Sequence, residues 1–312
     1  MHYLLKKFCT LIITLFIVSL LAFCAFQLIG DPTTSMLGTN ATPEQVEALR
    51  HELGFDRPLL VQYGDWLIHF VQGDMGTSYS YNMPVSEMVG SRIMVTFIMT
   101  MMAFVMTVVV SIPLGIFAAR REGGVFDRII TAFDQIVMSI PPFFIGILLT
   151  CVFVLILHVF QPGSFDAVRG HPVAYITYMI FPALSIAIPR IAMTVKMLRS
   201  SILEQMGQDY IRTAYSRGLN RDGVLWGHAL RNALIPVVTF VAVSVAEMVA
   251  GSIVIEQVFS IPGIGRLLLA SISSRDIPVV QAIVVILALW VVVVNFIADV
   301  LYQYIDPRIR LN

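Results

Sequence analysis

Six long apolar segments limit what this chain can fold into more than any other feature of its sequence. They cover approximately residues 8–29, 93–119, 129–160, 175–198, 233–255 and 279–302. A helix needs roughly 20 apolar residues to cross a hydrocarbon core about 30 Å thick. With 57% hydrophobic and 13% charged residues, the 312-residue chain also has too little polar surface for a soluble domain of its size. The sequence therefore predicts an all-α integral membrane protein with about six transmembrane helices.

The first apolar segment is predicted to be a retained signal anchor. Lys6 and Lys7 precede it, as in a secretion signal, but the apolar run is too long and no small-x-small cleavage site follows. We assign residues 1–29 to this anchor helix, 30–91 to a structured extracytoplasmic loop, and 92–312 to a transmembrane domain. Within the loop, residues 42–55 are predicted to form a helix capped by Thr42, with Pro43 at its first position.

Lysine and arginine residues near the segment ends predict the orientation, because cytoplasmic loops retain positive charge. With a cytoplasmic N-terminus, thirteen basic residues lie inside and six outside, and Arg190 is left within a span. The thirteen are Lys6, Lys7, Arg120, Arg121, Arg128, Lys196, Arg199, Arg212, Arg217, Arg221, Arg231, Arg308 and Arg310. The six are Arg50, Arg57, Arg92, Arg169, Arg266 and Arg275. The sequence thus predicts a multi-pass protein of the plasma or inner membrane with both termini cytoplasmic.

The predicted cytoplasmic loop at about 199–232 is longer than a simple helix connection requires. Apolar residues recur in it at spacings of three and four, which predicts a short amphipathic helix. These residues are Leu203, Met206, Tyr210, Ile211 and Ala214. Gly218 is predicted to end that helix, and a second helix is predicted to run from Arg221 to Pro236. Two interpretations remain open on these grounds: a helix pair lying on anionic lipid, or a docking element for a soluble partner.

The sequence QDYIRTAYSRGLNRDGVLWGHALRNALIPVV, residues 208–238, resembles the cytoplasmic coupling loop of ABC-importer permeases. The resemblance is to the branch that takes up oligopeptides, dipeptides, glutathione and nickel. Most importers have Glu-Ala-Ala, three residues and then Gly, where this chain has Arg212, Thr213, Ala214 and Gly218. The missing acid and the longer distance from Gly218 to Pro236 both resemble the peptide and nickel branch.

Further short motifs resemble the same family along nearly the whole chain. They are GDP at 30–32, LGFDRPLLVQY at 53–63, GDMGTSY at 73–79, IEQVFSIPGIGRLL at 255–268, RDIPVVQ at 275–281 and DPRIR at 306–310. Each motif alone is a weak signal, but all occur in order on the predicted topology. The chain is thereby similar to a binding-protein-dependent permease over most of its length.

The resemblance implies a pore-forming subunit that works by alternating access and is not itself an enzyme. Its implied partners are a second homologous permease, two cytoplasmic ATPases and an extracytoplasmic solute-binding protein. ATP and magnesium would bind to the ATPases, and this chain would hold no cofactor. The implied ATPase-coupling residues are Tyr210, Arg212, Thr213, Ala214, Gly218 and Leu219. The solute is a peptide or a related small molecule, with a nickel or metal chelate as the alternative.

Four ionisable residues lie in or near the spans: Asp134, Arg190, Glu247 and Asp299. Glu247 lies deepest and is a candidate for the translocation path, while a helix-to-helix hydrogen bond is the alternative role. Prolines at 113, 141, 142, 182 and 189 favour bends in the spans, either around a cavity or in a static bundle. Bends and intramembrane charge are both unusual in a simple anchor.

Pro262, Gly263 and Gly265 follow the fifth span and are predicted to break regular structure. The segment up to Pro278 is expected to fold back as an external hairpin or plug, with an ordinary turn as the alternative.

Other chemistry finds no support in the sequence. GLNRDGVL at 218–225 lacks the Lys and Ser or Thr of a P-loop, and His51-Glu52 lacks the second histidine of an HExxH zinc motif. No catalytic or metal site is predicted, and a net charge of zero gives no reason to expect nucleic-acid binding. A stand-alone channel or intramembrane enzyme is the alternative from a different functional class.

Overall fold

The computed structural model describes residues 2–29, 33, 37, 42–52, 54–158, 163–168 and 170–305. These residues are mostly helical, and they contain one isolated bridge, Thr77 to Pro84, but no strand. The motifs at 30–32 and 306–310, together with Leu53, Arg169, Arg308 and Arg310, lie outside the described residues.

The helices are numbered here in chain order. They are α1 (His2–Ile29), α2 (Pro43–Glu52), α3 (Leu59–Val71), α4 (Val85–Arg120), α5 (Val125–Met138), α6 (Pro142–Thr150), α7 (Phe165–Val168), α8 (Pro172–Met206), α9 (Asp209–Ser216), α10 (Arg221–Val224), α11 (Leu230–Val258), α12 (Ile264–Ser273) and α13 (Ile277–Ile305). Two π-helical turns, Cys151–Ile156 and Leu225–Ala229, extend α6 and join α10 to α11.

Five of these helices are long and apolar enough to cross a membrane, and a bent pair raises the number to six. The all-α membrane fold predicted from the sequence is confirmed. The bend predicted at Pro141 and Pro142 is present in the third span, where α5 and the helix that begins at Pro142 meet at 102°. Pro141 is extended, with φ −60° and ψ 143°, as expected for a residue that precedes a proline. By contrast, α4 and α8 stay continuous through Pro113, Pro182 and Pro189.

The chain divides into two compact units. The first contains Met1–Thr96 and Pro262–Val293, and the second contains Phe97–Ile261 and Val294–Asn312. In the first unit, α2 begins with the predicted cap. The Thr42 hydroxyl accepts from the Gln45 amide at 3.4 Å, and the Gln45 side chain accepts from the Thr42 amide at 3.0 Å. This reciprocal capping box fixes the start of the helix.

Asp276 connects two further segments of the first unit. Its buried carboxylate accepts hydrogen bonds from the Ser78 hydroxyl at 2.5 Å and from the amides of Tyr79 at 3.1 Å and Ser80 at 3.3 Å. The Asp276 carbonyl also accepts from Val280 at 3.1 Å, in the first turn of α13. One residue therefore joins the loop before α4 to the start of the last helix. Two backbone amides and one hydroxyl satisfy the buried carboxylate, as such a group requires.

The second unit is built on α8, which packs against α5, α6 and α11. At Gly115 an added Cβ would lie 2.9 Å from Leu198, so glycine permits α4 to approach α8 closely. Asp127 of α5 and Arg199 of α8 form a mostly buried bidentate pair, with N–O distances of 2.5 and 2.8 Å. Two parallel hydrogen bonds give this contact a defined geometry, and they hold the end of α8 that leads into α9.

Candidate functional site

The segment between α8 and α11 is a folded element rather than an open loop. Helix α8 ends at Met206, and Gln208 is extended before α9 begins. Leu203 and Met206 therefore belong to α8, which corrects the prediction that placed them on the short helix. We refer to residues 207–229 as the α9–α10 element.

One side of α9 is buried within this element. Ile211 and Ala214 pack against Val224 and Ala229, and Met206 at the end of α8 covers the same cluster. Ala214 is only 6% exposed. Its small side chain thus permits the two short helices to approach each other, and it presents almost no surface of its own.

Gly218 ends α9, as predicted. Its φ is +85°, a conformation that glycine adopts without the steric cost that other residues meet. Its amide donates to the Tyr215 carbonyl at 2.9 Å, and the Leu219 amide donates to Ala214 at 3.4 Å. No atom lies within 4 Å of the position that a Cβ would occupy. Backbone conformation, and not internal space, is therefore what requires glycine here.

The second helix starts at Arg221, as predicted. The Asn220 side chain caps it by accepting from the Gly223 amide at 2.8 Å. Asp222, in the first turn, accepts from Arg120 at the end of α4 at 2.7 Å. Both side chains of that pair are about half exposed. The start of α10 is thus connected to the end of another span.

Tyr210 braces α9 from the other side. Its hydroxyl donates to the Gln205 side chain of α8 at 2.8 Å and accepts from Asn232 of α11 at 3.1 Å. Spacing alone marked Tyr210 only as an apolar member of the helix. Its hydrogen-bonding role was missed because Gln205 and Asn232 carry no recognisable motif.

The remaining predicted coupling residues lie at the surface. Arg212, Thr213, Gly218 and Leu219 are exposed, and Arg212 lies 3.5 Å from Asp209 in a fully solvated pair. The structure therefore brings together five exposed residues of the predicted set, Tyr210 included, over the buried Ala214. Two exposed aromatic residues of the same element, Tyr215 and Trp226, were not predicted. Aromatic residues among the arginines of this stretch were a signal from which an exposed binding surface could have been predicted.

Glu247 lies on α11 and forms an ion pair with Arg190 of α8. The sequence identified both residues but not their pairing, because 57 positions separate them. Arg190 is largely covered, whereas the Glu247 side chain is 55% exposed. The ion pair joins the two membrane-spanning helices α8 and α11, and more than half of the Glu247 side chain remains exposed.

Of the three residues predicted to interrupt regular structure after the fifth span, only two do so. Pro262 and Gly263 lie between α11 and α12, but Gly265 lies inside α12 and does not interrupt regular structure. The Ile264 amide at the start of α12 donates to the Thr96 hydroxyl at 3.1 Å. Residues 264–273 thus form a helix between two turns, at Ser260, where φ is +54°, and at Arg275, where φ is +55°. That this segment folds back as an external hairpin or plug stays a prediction. Among the described residues, no group of His, Cys, Asp and Glu has the arrangement of a metal site.

Comparison with known families identifies the chain. The model of the family described as binding-protein-dependent transport system inner membrane component matches residues 111–311. The chain belongs to this family. A model for the N-terminal part of such membrane components matches residues 1–100 of the permease. The permease is therefore a transporter subunit of the inner membrane, with several membrane passes, and not an enzyme.

Individual relatives cover almost the whole permease. It is 38% identical over 309 residues to a putative peptide transport system permease protein of Brucella abortus (strain 2308), covering 99% of this chain and 98% of the relative. It is 37% identical over 284 residues to the oligopeptide transport system permease protein AppB of Bacillus subtilis (strain 168), at 90% of both chains. It is 35% identical over 311 residues to the glutathione transport system permease protein GsiC of Salmonella choleraesuis (strain SC-B67), at 99% of both.

Proposed function

We propose that this permease imports peptides or a closely related small solute in an ATP-driven complex, and that the α9–α10 element receives the motion of the ATPases. The proposal rests on the difference between the two sides of this element. Its inner side is packed and braced to α4, α8 and α11, while its outer side exposes Arg212, Thr213 and Leu219. A rigid element fixed to several spans transmits displacement to all of them.

The proposed complex contains a second homologous permease, two cytoplasmic ATPases and an extracytoplasmic solute-binding protein. ATP and magnesium would bind to the ATPases, because GLNRDGVL in this chain lacks the phosphate-binding residues of a P-loop. Peptide as the solute class is supported by the names of the Brucella and Bacillus relatives, and glutathione, itself a peptide, by the Salmonella relative. The proposed cycle is alternating access, in which rigid bundles rock around a central path.

The proposed orientation places both termini and the α9–α10 element in the cytoplasm. It is supported by the excess of lysine and arginine on that side of the predicted topology. In the same orientation α2 and α3 lie outside, with Pro262 and Gly263 at the outer end of α11. We propose the assignment of residues 1–29, 30–91 and 92–312 to anchor, outer loop and transmembrane domain, although α4 already begins at Val85. Of the coupling loop predicted at about 199–232, residues 207–229 lie between α8 and α11.

Cysteine labelling tests this orientation. It also tests whether the exposed side of α9 is the docking surface, that is, the surface that contacts the ATPases. In a permease whose native Cys9, Cys24 and Cys151 are replaced, Ser216→Cys should react with an impermeant maleimide only from the cytoplasmic side. Ser216 is exposed on α9, so the labelling should slow several-fold when the ATPases are bound. Glu47→Cys on α2 should react only from outside, in both states. Labelling of both sites from one face would exclude the proposed topology, and equal labelling of Ser216→Cys with and without ATPases would exclude the docking surface.

We further propose that Glu247 and Arg190 border the translocation path. A charged side chain at the centre of a bilayer costs roughly 2.5 to 3.5 kcal/mol on insertion scales, so the open face of Glu247 belongs against water or protein rather than lipid. The neighbouring exposed positions of α11 are Val243, Ala250 and Val254, all of them small or medium in size. One carboxylate among such residues fits a polar route between helices better than it fits a lipid contact.

A further inference from the structure

Helix α3 packs one face against the membrane-spanning helix α1. The Tyr63 and Ser19 hydroxyls are 2.8 Å apart, and the Tyr63 ring contacts Phe16 and Phe23 with centroids at 5.7 and 5.5 Å. Trp66 lies 6.1 Å from Phe23. Residues 63, 66 and 70 lie on one side of α3, and their rings form a continuous aromatic cluster.

The contact lies at membrane depth. The apolar stretch of α1 covers Lys6–Ala25, and Ser19 is six positions before its end. At about 1.5 Å per residue, Ser19 is about 9 Å inside that end. Of the α1 side chains that α3 contacts, Ser19 and Phe23 are buried and Phe16 is half exposed, whereas Ile13 and Leu21 elsewhere on α1 are exposed. In a bilayer that α1 crosses, Tyr63 would thus reach α1 within the hydrocarbon region, which would place α3 close to the level of the lipid headgroups.

The rest of the α3 surface is divided into two sectors. One sector is aliphatic and open: Leu60, Ile68 and Val71 are 80%, 58% and 77% exposed. The other carries Gln62, Asp65 and His69, and Asp65 accepts from Arg57 at 3.2 Å. With about 3.6 residues per turn, the two sectors are centred roughly 140° apart around the helix, and the aromatic face toward α1 lies between them on the wider side. A helix lying flat at a membrane surface has this arrangement.

We propose that α3 is a membrane-interfacial helix whose aliphatic sector binds lipid acyl chains in the leaflet at the Ala25 end of α1. Lipid is the occupant because Tyr63 and Trp66 hold α3 against the apolar stretch of α1, whose exposed side chains face acyl chains in a membrane-spanning helix. The polar sector of α3 faces water. The aromatic rings anchor the helix at the level where such residues concentrate in membrane proteins. The inference depends on α1 crossing the membrane and not on the transported solute or the coupling role of α9.

Spin labels placed on the two sectors test this arrangement. Single cysteines replace Leu60, Ile68 and Val71 in one set, and Gln62, Asp65 and His69 in the matched control set. Each variant has the native cysteines removed and is assembled with its partner subunits in lipid nanodiscs. Electron paramagnetic resonance then measures collisions of each label with oxygen, which concentrates in lipid, and with a water-soluble nickel chelate.

Labels at 60, 68 and 71 should collide with oxygen several-fold more often than with the nickel chelate, and the ratio should reverse at 62, 65 and 69. Equal and high nickel accessibility in both sets would place α3 in water and overturn the proposal. Low accessibility to both reagents at 60, 68 and 71 would show that another protein surface covers the aliphatic sector, and it would overturn the proposal equally. Retained assembly of every variant with its partners shows that the labels report the native arrangement.

Discussion

Replacing Gly218 with valine should leave the spans inserted and strongly reduce transport. The native φ of +85° costs a β-branched residue about 1 to 3 kcal/mol, and no internal contact offsets this cost. The turn between α9 and α10 should therefore rearrange, and the exposed residues on either side of it should lose their relative placement. Because 1.4 kcal/mol corresponds to a factor of ten, solute uptake in vesicles should fall by about tenfold or more. ATPase co-purification or solute-stimulated hydrolysis should fall with it.

Gly218→Asn separates conformation from bulk. Asparagine tolerates the left-handed conformation far better than valine does, and the space around Gly218 is open within this chain. If only the turn matters, Gly218→Asn should retain most uptake. If the ATPase approaches Gly218 closely, both variants should lose coupling. Normal co-purification, hydrolysis and uptake in Gly218→Val would show that the α9–α10 element does not couple the ATPases to the membrane. A helix lying on lipid would tolerate the added apolar side chain.

Replacing Glu247 with glutamine should lower uptake about tenfold while assembly and basal ATP hydrolysis stay close to normal. The amide oxygen still accepts a hydrogen bond from Arg190, so the contact between α8 and α11 keeps its shape. The negative charge at the proposed path is lost, however, so a passing group that bonds to this carboxylate would lose a hydrogen bond to a charged group, which is worth about 1.5 to 3 kcal/mol. Uptake and the yield of purified complex, measured on the same preparation, check the prediction.

The double variant Arg190→Gln with Glu247→Gln distinguishes transport from structure. If the pair only holds the helices together, the neutral pair should restore both assembly and uptake, because no uncompensated charge remains. If Glu247 serves the path, uptake should stay low even though the complex assembles. Loss of folded complex in the Glu247→Gln variant would support the structural role and contradict the path.

The sequence predicted those parts of the fold that depend on local patterns. Apolar segments long enough to cross a bilayer predicted an all-α membrane protein. Thr42, Gly218 and Arg221 fall at the helix boundaries that local capping and glycine signals indicated. Hydropathy predicted the third span, and the two adjacent prolines at 141 and 142 predicted its bend, which the structure shows at 102°. The prolines at 113, 182 and 189 were expected to favour bends as well, but the helices that contain them are not interrupted.

Long-range contacts were beyond sequence reasoning. Nothing local indicates that Asp276 accepts hydrogen bonds from Ser78 or that Arg190 pairs with Glu247. Ala214 shows the same limit. The family resemblance implied a coupling role for it, but only the packing shows that it is buried against Val224 and Ala229 within the chain. Sequence patterns thus located the candidate site. The tertiary structure then shows which of its residues are buried, such as Ala214, and which are exposed, such as Arg212 and Leu219.

The central claim is that this chain transports solute only as part of an ATP-driven, binding-protein-dependent complex. Uptake by proteoliposomes containing the permease, its partner permease and the ATPases tests it most directly. ATP and magnesium are supplied on the ATPase side, and binding protein loaded with a labelled peptide is supplied on the other. We expect accumulation that stops when either ATP or the binding protein is withheld. Accumulation that continues without both would contradict the claim and favour a stand-alone channel.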